Sequence, residues 1–215
     1  MARSRKSIAV EMSFEPIDVL LKHDEWATCR ILEICLALSD EEFGRPFGIG
    51  PGSLRATLLH VLTRYYFWAD TIAQRDPTGR PARARLGRRP SARAMLDALP
   101  QAAADFRSVA DNAIRTGLKA TVHPEWSRVP VITKGAAMVH MCTHAMHHRA
   151  QCLIMLRRIG RVDILNAADN IGTAEWQSEV EAKRLKPPRM PAQASRESTP
   201  VRSMPRPIKV KRTST

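Results

Sequence analysis

Four histidines crowd ten positions of this chain, in the run His140-Met-Cys-Thr-His144-Ala-Met-His147-His148-Arg149. His140, His144 and His148 stand four apart, so on a helix they share one face, each a turn above the last. Neutral imidazole is the commonest protein metal ligand. Two histidines at i and i+4 can chelate one ion while a third ligand arrives from elsewhere in the fold. The candidate for that third ligand is His60, far upstream within Leu58-Leu59-His60-Val61-Leu62. Alone, a histidine in so apolar a run reads as a hydrogen-bonded core residue. The ladder shifts that balance, because buried imidazoles without partners cost about 1 to 3 kcal/mol each and a shared cation removes much of the cost. His147 points about 100° away from His148 around the helix, toward packing or the surface.

These side chains need helices to hold them, and four segments carry the 3.6-residue apolar period. The first runs from about Glu15 to Leu38 and ends at Ser39-Asp-Glu-Glu, read as a loop or short turn. A breaker-rich stretch from Gly44 to Gly52 follows, and Ser53 is a good N-cap for a second helix reaching about Gln74. Residues 75–90 form an Arg-dense connection, either simply solvated or a basic rim that attracts an anionic substrate. Ser91 caps a third helix ending near Gly117, in which Pro100 predicts a kink or a later start. The fourth extends from about Thr133 to Ile159 with Gly160 at its end, and a short fifth lies near 173–183. No segment shows a convincing strand alternation. The fold class is therefore all-α, a four-helix bundle with long crossover-type connections, and such bundles build metal sites from inward-facing side chains of neighbouring helices.

The 215 residues carry a net charge of +13, of which residues 183–215 contribute +9 and residues 1–7 contribute +3, leaving +1 for residues 8–182. The basicity thus belongs to the tails, and the division expected is a basic extension over 1–12, the bundle over 13–185, and a disordered Pro/Arg/Lys-rich tail over 186–215. The tail reads as a solvated polycation, with weak non-specific nucleic-acid contact left open. Cys29, Cys35, Cys142 and Cys152 form no CxxC pair and read as reduced core residues, which favours a cytoplasmic location. Neither a signal peptide nor a membrane-spanning run is expected.

Leu20-Leu-Lys-His-Asp-Glu-Trp26-Ala, Leu38-Ser-Asp-Glu-Glu-Phe43, Gly52-Ser53-Leu-Arg-Ala-Thr-Leu-Leu-His60, and the His140 to Gln151 run together resemble the DinB-like/YfiT-like superfamily. These are four-helix-bundle metalloproteins of the damage-inducible type, unrelated to the polymerase of similar name. The resemblance covers about residues 14–160. Its strongest element pairs Ser-x6-His on helix two with His-x3-His-x3-His-Arg-x-Gln on helix four. It implies a divalent ion, zinc or nickel, held by His60, His144 and His148, with His140 lining the site. Ala150 departs from the family's small Gly, and the N-terminal helix matches too loosely to transfer roles to His23, Asp24 or Glu25.

Three protein ligands leave a coordination position for water or substrate, which suits catalytic metal. The resemblance implies a small-molecule substrate with a low-molecular-weight thiol cosubstrate, as in thiol S-transferases, or a hydrolase-like reaction. Glu125 and Asp70 are candidate general bases only by their position near helix ends, with a surface role as the plainer reading, and His123 is an ordinary loop histidine unless it reaches the bundle mouth. Trp26, Tyr65, Tyr66, Phe67 and Trp68 read as core or pocket wall, or as the face of a homodimer. Two other readings stand beside the enzyme: a non-enzymatic stress-response or nucleic-acid-associated module using its basic tails, and a metal-free bundle with a hydrogen-bonded histidine cluster.

Overall fold

The computed structural model describes residues 16–76, 84–124, 131–160 and 170–181. Six helices of five residues or more lie within them: α1 (Pro16–Cys35), α2 (Asp40–Gly44), α3 (Leu54–Ala73), α4 (Ala92–Thr116), α5 (Lys134–Ile159) and α6 (Thr173–Glu181). The basic extension and tail expected at the ends, with any nucleic-acid contact made through them, lie outside the described residues.

Local chemistry sets the helix ends. The Ser53, Ser91 and Thr133 hydroxyls accept the N–H of Ala56, Ala94 and Ala136, satisfying donors that the first turn leaves free. Gly160 closes α5 in the left-handed conformation, which it adopts without a Cβ penalty. Two expectations are corrected. Ser39-Asp-Glu-Glu is the start of a helix, because Ser39 and Glu42 form a reciprocal capping box. The third helix does not start late, since Ser91 caps it and α4 continues through Pro100. A two-residue antiparallel ladder, β1 (Thr121–Val122) with β2 (Ile132–Thr133), precedes α5 and is too short to show alternation.

The long helices α1 and α3 each pack against α4 and α5, so α1 and α3 stand at opposite corners of the four-helix bundle. Chain neighbours α1 and α3 are thus diagonal, which is why the connection through α2 must be long. The core between them holds Ile31, Leu32, Leu58, Leu62, Tyr65, Met95, Phe106, Met138 and Met141. Trp176 of α6 is buried beside His23 on the outside of α1. Among the described residues no helix is long and apolar enough to cross a membrane.

Candidate metal centre

Helices α3 and α5 run antiparallel, since Trp68 meets His140 while His60, two turns earlier, meets His144 and His148. His60 Nε2 lies 3.3 Å from His144 Nε2, which lies 3.2 Å from His148 Nε2. One nitrogen of each ring falls within 4.8 Å of the others. Tetrahedral ligands at zinc–nitrogen distances of 2.0 to 2.1 Å stand about 3.3 Å apart, so this spacing suits a single small divalent ion.

Hydrogen bonding alone does not account for that arrangement. His148 Nδ1–H donates to Gln151 Oε1 at 2.8 Å, which leaves a lone pair on His148 Nε2 facing the cluster. His144 Nδ1 is buried without a hydrogen-bond partner, so its ring can be satisfied only through Nε2. One Nε2–H could serve at most part of the converging set, whereas a cation attracts every lone pair. Burial, followed by the neighbouring His148, His60 and His140, pushes the His144 pKa down to about 3 and keeps the imidazole neutral, the form that ligates. Burial likewise lowers His148.

The profile of the DinB family matches residues 11–189. The chain belongs to the DinB family. No curated protein matches it individually. The family match extends beyond the 14–160 stretch that carries the resemblance and takes in all six described helices.

In this DinB-family bundle the other candidates scatter. His140 is exposed, with its ring 4.8 Å from Trp68 and 5.7 Å from His144, and its nitrogens do not join the group of three. His147 is exposed and accepts from Gln151 Nε2 at 2.8 Å. His123 is exposed beside β1. Asp70 is not at the surface: it is buried at the end of α3 and paired with Arg75 at 2.7 Å, far along the helix from His60. Glu125 and Trp126 lie outside the described residues. Cys35, Cys142 and Cys152 are buried as expected, but Cys29 is only half-buried.

Two features behind the cluster escaped the sequence reading. Gln151 reaches His148 only because the chain at Gly50, with φ +50°, leaves room: a Cβ there would sit 2.1 Å from Gln151 Oε1. Arg149, next to His148, is buried and forms an ion pair with Asp24 of α1, while its Nη1 also donates to Thr28 Oγ1 at 3.0 Å. Tyr65 O–H donates to the other Asp24 oxygen at 2.6 Å. Burial pushes the Asp24 pKa up, and Arg149 and Tyr65 pull against that shift. The signal for this network was present, as an acid on the core face of α1 and an arginine among core positions of α5. Pairing them needed the tertiary fold.

Proposed function

We propose that this DinB-family protein is a divalent-metal-dependent enzyme of the thiol S-transferase or hydrolase type, with His60, His144 and His148 as the metal ligands. The observation that carries this reading is the convergence of three imidazole nitrogens, two of them 3.2 and 3.3 Å from the third, around a His144 ring whose Nδ1 is buried without a hydrogen-bond partner. Imidazole suits zinc and nickel alike. Three protein ligands leave a coordination position open, and a divalent ion so held supplies Lewis acidity to a small-molecule group entering there. The protein's part is positional: α3 and α5 hold the rings, and Gln151 fixes the tautomer and orientation of His148.

The thiol in a transferase reaction would come from outside. Burial pushes Cys29 up to about 11 and Cys152 up to about 12, and raises Cys35 and Cys142 as well, so the four sulfurs stay protonated at neutral pH. Metal analysis of protein purified without a histidine tag is expected to find one divalent ion per chain, and a screen of that protein against small thiols paired with electrophiles is expected to show thiol loss. Tag-free protein without stoichiometric metal would overturn the proposal.

The Gln151 contact gives a second test. Gly50→Ala strains a left-handed position by roughly 1 to 2 kcal/mol and also drives Gln151 from His148. Gly48, with φ +64°, has open space where a Cβ would stand. Gly48→Ala should therefore lower the melting temperature by a few degrees and leave metal affinity intact, while Gly50→Ala should lower both, the affinity by roughly 10- to 100-fold. Equal metal affinity in the two variants would show that Gln151 does not support the site.

A further inference from the structure

A cavity of about 540 Å³ opens beside the histidine cluster, with His60 in its wall. Its other lining side chains include Arg55, Arg64, Arg88, Arg89 and Ser53, and no acidic residue lines it. Arg64 follows His60 by four positions on α3, so the guanidinium and the imidazole share one helix face. Two of the arginines are held in place. Arg64 stacks 5.1 Å from the Phe67 ring and Arg55 5.2 Å from that of Phe43. Arg55 is 5% exposed, donates to the Asp40 main-chain oxygen at 2.9 Å and pairs with the Asp40 carboxylate.

Those contacts leave the cavity short of negative charge. Asp40 is divided between two of these arginines, Arg55 and, at 3.4 Å, Arg89. Arg55 Nε is buried without a hydrogen-bond partner. A buried guanidinium with one donor still unused, at a wall that carries three further arginines, favours an anionic oxygen group. Ser53 and the first turn of α3 add the positive end of a helix dipole at the same wall. The volume accommodates a small molecule rather than a polymer.

We propose that this cavity binds the carboxylate or phosphate group of a small anionic substrate and directs the rest of that molecule to the cluster at His60. The proposal names the substrate class for the metal-dependent reading and rests on it for the reaction, while anion binding itself needs no metal. The test is a titration of the full chain with inorganic phosphate and with succinate, followed by calorimetry and backbone amide shifts, on chelated protein and on protein as purified. The chelated arm removes direct anion–metal contact from the result.

Saturable binding of at least one anion by chelated wild-type protein is expected, with amide shifts at Ser53 to Arg55 and Arg88. Arg64→Gln combined with Arg88→Gln should weaken it by about tenfold or more, and Arg115→Gln, on the exposed end of α4, should leave it unchanged. Phosphate binding alone would assign the phosphate, succinate alone the carboxylate. Arg88 lies on the exposed connection, so Arg88→Gln by itself carries the test if Arg64→Gln unfolds. No saturable binding of either anion, or equal loss in Arg115→Gln, overturns the proposal. Metal content measured on the same samples separates this outcome from failure of the metal assignment, since a chain free of metal can still bind the anion.

Discussion

His144→Ala protein, purified without a tag, is expected to lose its bound divalent metal, with affinity lower by more than about 100-fold. That bound follows because groups merely supporting a ligand are already worth roughly 10- to 100-fold. His144 has the central place in the cluster, its Nε2 being the nitrogen that lies near both His60 and His148. His60→Ala should behave alike, since it removes the contribution of α3. His147→Ala and His140→Ala should retain the ion, because His147 faces outward and His140 stacks on Trp68 outside the group of three. Melting curves in chelator separate ligand loss from unfolding: metal-free His144→Ala should be about as stable as metal-free wild type, having shed a ring whose Nδ1 is buried without a partner. Retained metal in His144→Ala, or equal loss in His147→Ala, would sink the ligand assignment.

The largest effect on stability is expected at Asp24. Asp24→Leu leaves the Arg149 guanidinium buried without its counter-charge and strips the Tyr65 hydroxyl of its acceptor. Breaking a buried ion pair from one side typically destabilises by about 3 to 5 kcal/mol. For a domain of this size the melting temperature should fall by roughly 10 °C. Adding Arg149→Met to Asp24→Leu should recover part of the loss, because two apolar side chains do not carry an uncompensated charge. A double variant less stable than Asp24→Leu would show that Arg149 stabilises the bundle through contacts other than Asp24. The pair also matters to the site: Arg149 ties the middle of α1 to α5 at the turn that carries His148.

What could be read from the sequence was what short-range chemistry determines. Ser53, Ser91, Thr133 and Gly160 mark helix ends because a cap is formed by residues within three or four positions. The i, i+4 spacing of His144 and His148 likewise declares a shared face. His60 stands out as a lone histidine in an apolar run, but its place beside them comes from the family resemblance, because nothing local relates it to a residue 84 positions away. The capping box at Ser39 and Glu42 is legible in the sequence, but a helix of only five residues reads there as a loop or short turn. The contacts that escaped span the chain: Gly50 with Gln151, and Asp24 with Arg149 across 125 positions. Neither residue type nor period predicts which acid meets which base, or which backbone leaves space for an amide.

The 84-position separation of His60 and His144 has a meaning beyond the site itself. The described cysteines are all free, so no covalent bond closes a long loop of this chain. An ion shared by α3 and α5 would clasp two distant segments of the chain, stabilising the folded state by binding it in preference to the unfolded one. Stability would then depend on the concentration of free ion. A cell short of the metal would then lose the protein itself, through faster unfolding and clearance, as well as the metal-dependent activity proposed for it.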